Sequence, residues 1–364
     1  AALAERASLP GPYAPRGGVI YPFYPMAGRW YQDTFTNNYV DLDPGGGILD
    51  YECTGYTYNG HDAHDIDIRS FGEQARGVPI YAALPGTVAM SHDGEFDMNT
   101  TAAGQPANYV IIDHGGGHRS YYWHMKNGSV AVSAGESVVA GQQIGLVGSS
   151  GNSTQPHLHF ATYVNSVMVE PSSGACRAGA SNWAEQMNID RSFRIADFAF
   201  SADNLSTVPG LPFEMPRTGQ LGLSNQPHWF WLKVYGLPAG STWRARYIRP
   251  NGTTAFTSGL GTFGAGQPFY RWSWWWFRWT IGDMATTTGT WRLQLEINDT
   301  VVIDEAIEVA TVMDPAYNRA PYALGGLSFD PAAPEAGDVI RCSVDTDLVH
   351  DDPDFDIVSY EYTW

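Results

Sequence analysis

The chain has 364 residues and a net charge of −18, a length that suggests two or three domains. The acidic balance argues against nucleic acid as a partner, because that affinity rests on neutralising phosphates with Lys and Arg, and it disfavours attraction to anionic polymers in general. No apolar run reaches the roughly 18 residues of a membrane-spanning helix, while 40 Gly and 23 Pro among many Thr, Ser and Asn favour a turn-rich, all-β chain. The N-terminus Ala1-Ala2-Leu3-Ala4-Glu5-Arg6 lacks the basic and apolar regions of a signal peptide, as expected of a mature form whose signal has been removed. Residues 1–47 are rich in Pro, Gly and aromatics, as in Tyr21-Pro22-Phe23-Tyr24-Pro25, and read as an extended segment with little regular structure. Gly45-Gly46-Gly47 closes it with a loop.

From Ile48 onward, short alternating runs separated by Gly turns, such as Asn108–Asp113 and Ser120–His124, read as an antiparallel β-sheet. Three stretches here carry chemistry: His61-Asp62-Ala63-His64-Asp65, Tyr122-Trp123-His124, and the Gly/Ser-rich loop from Gly148 that ends in His157-Leu158-His159. Side chains alternate faces along a strand, so His157 and His159 project from one side with Leu158 turned into the core. His61 and Asp65 share a face whether the segment is extended or one helical turn. A rival register using His64 with Asp67 is disfavoured, since odd spacing places them on opposite faces. Two imidazoles and a carboxylate converging from separate strands suit Zn²⁺, and three protein ligands leave a fourth position for water. Further histidines nearby would supply proton transfer or transition-state hydrogen bonds.

The remaining features of this stretch are plainer. Asp93, Glu95, Asp97 and Asn99 alternate in an insertion that reads as a polar loop lining a groove, with hard oxygen ligands for Ca²⁺ as the alternative. His114 and His118 flank a glycine turn and are expected to face solvent. Ser181 is placed to cap a short helix leading toward Asp190. Cys53 precedes the first histidine motif and Cys176 follows the core; an extracellular disulfide between them would staple the ends of the domain, the alternative being two buried thiols.

The three motifs together resemble the lysostaphin-type zinc metalloendopeptidases, which cut peptide cross-links in bacterial cell walls. The family's His-x-x-x-Asp, Tyr-x-His and His-x-His read here as His61…Asp65, Tyr122-Trp123-His124 and His157-Leu158-His159. Intervening phrases match as well, including Gly77-Val78-Pro79-Ile80-Tyr81, Pro85-Gly86-Thr87-Val88 and Gly141-Gln142-Gln143-Ile144-Gly145. The resemblance covers roughly residues 50–170. It implies that His61, Asp65 and His159 bind zinc and that His124 and His157 are the non-ligand catalytic histidines, with Asn108 and Tyr122 as weaker groove-lining candidates. It also implies a narrow groove for peptides with small residues, either peptidoglycan stems and bridges or Gly-rich proteins. The family usually has Gly where this chain has Ala63.

Residues 201–314 read as a β-sandwich: Trp229–Val234, Trp243–Ile248, Trp291–Ile297 and Val301–Ile303 alternate between turn signals. The run Tyr270-Arg271-Trp272-Ser273-Trp274-Trp275-Trp276-Phe277-Arg278-Trp279 has tryptophans on both faces, as in a strand buried on both sides with the arginines stacked on indoles; exposed rings stacking on sugars are the functional alternative. Residues 315–364 resemble the opening of an immunoglobulin-like unit too short to close, so the natural chain is expected to continue and Cys342 to find its partner beyond it. The acidic loop Asp345–Asp356 suggests either solvated carboxylates or a second Ca²⁺ site. An unpaired strand edge there invites association with another chain.

The fold class is therefore mainly β: an antiparallel lysostaphin-type peptidase domain over 48–200, a β-sandwich over 201–314 and an incomplete immunoglobulin-like unit over 315–364. The expected function is an extracellular or cell-surface zinc metalloendopeptidase acting on peptidoglycan. The alternatives are a secreted protease for Gly-rich proteins and a structural or adhesive surface protein carrying an inert peptidase-like module.

Overall fold

In the computed structural model, which describes residues 19–355 except 27, 210, 265–268, 315, 322–325, 331–340 and 345–351, the alternating runs become strands of two separate units, 1–190 and 191–364. The first unit contains β1 (Phe35–Asn38), β2 (His64–Asp67), β3 (Pro79–Tyr81), β4 (Gly86–His92), β5 (Tyr109–Gly115), β6 (His118–Trp123), β7 (Ser137–Val138), β8 (Gln143–Leu146), β9 (His157–Val164) and β10 (Val167–Val169). Eight of these form one antiparallel sheet in the order β1-β2-β9-β6-β5-β4-β7, with β10 folded back on β9, while β3 pairs with β8. Asn165 and Ser166, at φ 51° and 65°, make the tight β9–β10 turn, the backbone that a right-twisted two-residue hairpin requires.

Period-two patterning decides which face is dry. Ile66 of β2, Val110 and Ile112 of β5, Tyr122 of β6, and Leu158 and Phe160 of β9 join one buried cluster. The residues between them on β9, His157 and His159, take the opposite face. Each fully buried apolar side chain in that cluster contributes about 1.5–3 kcal/mol, and this fixes the register: a one-residue slip would exchange the histidines for leucine and phenylalanine.

Two local readings are corrected. The stretch expected to be extended contributes a strand, β1, because Phe35, Thr36 and Asn37 are buried against β2. No helix forms after Ser181; its hydroxyl accepts from the amide of Trp183 in a short turn, and Tyr21 and Trp183 form a parallel bridge. A helix occurs instead at α1 (Phe71–Arg76), where the N-cap Ser70 accepts from the Glu73 amide and Glu73 accepts from the amide of Arg69, the residue before the cap.

The second unit holds β11 (Arg194–Ser201), β12 (Gln220–Gly222), β13 (His228–Pro238), β14 (Thr242–Ile248), β15 (Thr254–Thr257), β16 (Gly261–Thr262), β17 (Phe269–Trp279), β18 (Gly289–Ile297) and β19 (Thr300–Ala310). One sheet runs β11-β13-β17 and the other β12-β19-β18-β14-β15, with β16 on β14. Phe230 and Leu232 from the first and Tyr247, Trp291, Leu293 and Ile307 from the second share one buried cluster, which Phe355 also enters. The strand buried on both faces is β13. The tryptophan-rich β17 is instead an edge strand, mostly half-buried, with Phe277 and Trp279 in the core and Trp276 41% exposed. Arg278 lies over the Trp229 ring, 5.7 Å from its centre.

Beyond this, β20 (Leu327–Asp330) pairs with β21 (Arg341–Val344), which contains Cys342. Residues 356–364 and most of the acidic loop lie outside the described residues. Among the described residues no helix is long and apolar enough to cross a membrane.

Candidate metal centre

The histidine motifs meet on three adjacent strands. In the β2–β9 ladder Asp65 stands directly opposite His159 and Asp67 opposite His157, so Asp65 and both histidines present cross-strand neighbours on one face. On the other side of β9, Trp123 of β6 opposes His159, and His124 follows at once. His61 enters from the loop before β2. That loop is held by the buried Asp41, whose carboxylate accepts from the amides of Leu49 (3.0 Å) and Gly60 (2.8 Å) while its own amide donates to the His61 carbonyl.

The resulting distances are short. His61 Nε2 lies 3.3 Å from Asp65 Oδ2, His159 Nδ1 lies 3.0 Å from Asp65 Oδ1, and His157 Nε2 lies 3.5 Å from Asp65 Oδ1. The His124 and His157 rings are 4.6 Å apart, and the His61 and His159 rings 5.3 Å. His64 points away, to the buried Glu170 at 2.8 Å, while Asp67, opposite His157 on the ladder, is held by Asn37.

Two histidines are oriented by main-chain carbonyls. His124 Nδ1 is 2.6 Å from the Ser150 carbonyl and His157 Nδ1 is 2.8 Å from the Gln155 carbonyl. A carbonyl accepts only, so each Nδ1 carries a proton, and in the neutral imidazole Nε2 is then the bare nitrogen. The loop supplying these carbonyls needs Gly148: a Cβ there would stand 2.6 Å from the Lys126 amide nitrogen. His124 itself sits at φ +67°, a conformation that costs a non-glycine residue about 1–2 kcal/mol and is characteristic of sites where geometry is imposed.

Charge balance in the cluster is dominated by burial and by Asp65. Burial pushes the Asp65 carboxyl up, but His61, His157 and His159 outweigh it and hold the group well below the usual carboxylate range. His61 is pushed down to about 4 by burial, and burial with the neighbouring His157 and His159 holds His124 well below the ordinary imidazole value. Burial opposes protonation of His159, yet Asp62 and Asp65 override it and raise the group to about 10. For His157 the same contest, with Asp65 as the main opponent of burial, also ends in a raised value. The carboxylates thus draw positive charge to this spot.

The donor set fits a small divalent cation. Ligand atoms about 2.0–2.2 Å from a tetrahedral ion stand roughly 3.3–3.6 Å from one another; Asp65 reaches the two histidines at similar distances through different oxygens, Oδ2 to His61 at 3.3 Å and Oδ1 to His159 at 3.0 Å. Among the described residues, His61, Asp62 and His159 also offer donor atoms within 4.8 Å of one another.

A sequence profile of Peptidase family M23 matches residues 61–171, which include every one of these histidines and both carboxylates. Residues 61–171 are a Peptidase family M23 domain. The peptidoglycan DD-endopeptidase ShyA of Vibrio cholerae is 36% identical over 88 residues, 24% of this chain and 18% of that protein. Lysostaphin of Staphylococcus simulans is 50% identical over 56 residues, 15% of this chain and 11% of that protein. The solved catalytic domain of lysostaphin from Staphylococcus simulans is 27% identical, covering 39% of this chain and 89% of that one, with a TM-score of 0.25. The chain spans less than a fifth of the length of either full-length relative.

The weaker candidates in the M23 domain have other work. Asn108 is fully buried and donates to the carbonyls of Glu95 and Met125, and the Tyr122 hydroxyl accepts from the Ala83 amide inside the core; neither lines a groove. His114 is wedged between the Pro85 carbonyl and Ser120 and does not simply face solvent. Calcium is not supported at the insertion: Asp93 accepts from the amides of Gly128 and Val130, Asp97 from Asn127, and Glu95 meets His92 at 2.7 Å. These carboxylates stitch loops together. Sequence reasoning missed Asn38, which donates to Asp65 Oδ2 at 2.9 Å, as well as Asp62 and Tyr163. The distances in sequence are too long for a pattern to reveal them.

Proposed function

We propose that this chain is a secreted zinc metalloendopeptidase that hydrolyses peptide bonds in peptidoglycan cross-links. The observation that carries the reading is the convergence of Asp65 with His61, His157 and His159 at 3.0–3.5 Å on one face of the sheet, inside a domain whose relatives include a peptidoglycan DD-endopeptidase and lysostaphin. His61, Asp65 and His159 are assigned as the zinc ligands. Zinc held there supplies Lewis acidity and lowers the pKa of a water toward about 7.

The protein's own part follows from the orientation of the other two imidazoles. His157, its Nδ1–H spent on the Gln155 carbonyl, receives the proton of the attacking water on Nε2 and passes it to the departing amine. His124, its Nδ1–H likewise spent on the Ser150 carbonyl, presents Nε2 as an acceptor that steadies the attacking water. The Gly/Ser loop that carries both carbonyls is braced by the insertion: the Asn99 amide donates to Ser149 and the Asn99 side chain to Gly151.

Export to an oxidising compartment is supported by the disulfide between Cys53 and Cys176. We assign 48–200 to the peptidase domain, 201–314 to a β-sandwich, as its two sheets around one core suggest, and 315–364 to an immunoglobulin-like extension.

Turnover of purified cell walls and of pentaglycine, with zinc supplied and then removed by a chelator, tests the reading. Wall lysis that is lost on chelation, restored by zinc and abolished in His157→Ala is expected. A zinc-loaded chain that leaves both substrates intact would overturn it.

A further inference from the structure

Building on that zinc assignment, we propose that Asp62 and Tyr163 form an outer brace that selects the tautomer of His159, making Asp62 a positioning residue and not a ligand. A neutral imidazole carries one N–H, so the nitrogen that binds a metal must be the bare one, and a carboxylate on the far nitrogen enforces the choice. The two ends of the His159 ring face different acids. Nδ1 is 3.0 Å from Asp65 Oδ1, on the side of His61; Nε2 is 3.3 Å from Asp62 Oδ1. Asp62 in turn accepts from the Tyr163 hydroxyl through its other oxygen, at 2.8 Å.

The strand geometry explains how a loop residue is held so firmly. His159 and Tyr163 lie on the same face of β9, and Asp62, just ahead of β2, spans them with its two oxygens. Tyr163 is itself packed on Tyr121, with ring centres 4.8 Å apart. Asp65 lies between two imidazoles in the manner of a ligand, whereas both oxygens of Asp62 have partners on β9. The Asp62 side chain is 40% exposed, so replacing it leaves the core untouched.

The test uses the full chain as wild type, Asp62→Ala, Asp62→Asn and Tyr163→Phe. Zinc affinity is read by competition with a chromophoric chelator, and the visible absorption of the Co²⁺-substituted protein reports the ligand set. The expected result for Asp62→Ala is affinity about 10–100-fold weaker with an unchanged Co²⁺ spectrum. Asp62→Asn, which keeps an acceptor for Nε2–H, should recover most of the loss, and Tyr163→Phe should show a smaller loss. Affinity within twofold of wild type in Asp62→Ala overturns the proposal. So does a changed Co²⁺ spectrum without rescue by Asn, which would make Asp62 a ligand. Wall turnover is measured on the same wild-type preparation: an active, zinc-binding wild type combined with either of those results refutes the brace alone, whereas a wild type that takes up no zinc removes the metallopeptidase reading as well.

Discussion

Removing the disulfide should destabilise the first unit and leave the second untouched. Cys53 and Cys176 are bonded across a sequence separation of 123, with their Cα atoms 5.3 Å apart. In the chain-entropy account, opening a loop of that length returns about 16 cal/mol/K to the unfolded ensemble, or about 5 kcal/mol at 25 °C. The folded loops keep other ties: Asp50 accepts from the amides of Glu52 and Thr54, and the Cys176 amide donates to the Tyr51 carbonyl. The native geometry should therefore survive and the effect should fall on the unfolded side. Hydrogen exchange resolved by mass spectrometry separates the units, because peptides from β2 and β9 report on one and peptides from β13 and β18 on the other. In a Cys53→Ala, Cys176→Ala double variant the most protected amides of β9 should lose about 3–5 kcal/mol of opening free energy while those of β18 hold. A loss in β9 below about 1 kcal/mol, or an equal loss in both units, would refute the reasoning.

Other outcomes follow from single residues. His157→Ala should lower kcat by about 10²–10⁴-fold while zinc content stays at the wild-type level, checked by metal analysis beside wall-lysis kinetics. Because His124 sits at φ +67°, His124→Gly should be more stable than His124→Ala by about 1 kcal/mol, measured by denaturant unfolding, although both should be inactive. His228 lies 2.7 Å from the Tyr247 hydroxyl and burial pushes it from 6.5 down to about 4. The unfolded chain therefore binds a proton below pH 6.5 that the folded unit refuses; stability is full above that pH and falls by about 3 kcal/mol as pH drops toward 4. Denaturant midpoints followed by tryptophan fluorescence should show that slope, and His228→Phe should flatten it.

Much of the centre was legible because its information is periodic. His157-Leu158-His159-Phe160 alternates between a polar and a dry face, and burial of Leu158 and Phe160 leaves the histidines only one direction. Local chemistry also signalled α1, where Ser70 and Glu73 stand in capping-box spacing, though that signal went unread against the surrounding β pattern. The helix expected after Ser181 failed because the hydroxyl serves a two-residue turn and Trp183 is needed in the core. The tryptophans of β17 look alike in sequence on either face; only the sheet order makes β13 the covered strand and β17 the edge. Contacts such as Asp62–Tyr163 and Asn38–Asp65 depend on which strands become neighbours, and no residue pattern states that in advance. The Ca²⁺ alternative for the acidic insertion could not be settled in sequence for a related reason, since the amides that satisfy Asp93 come from residues 128 and 130.

The most direct test of the central claim is zinc-edge X-ray absorption on the purified, zinc-loaded chain, compared with Asp65→Ala. The account predicts one zinc per chain with nitrogen and oxygen neighbours at about 2.0–2.2 Å, two imidazoles among them, one position filled by solvent, and loss of the site in the variant. Sulfur in the coordination shell, a shell closed entirely by protein, or an unchanged spectrum in Asp65→Ala would contradict it.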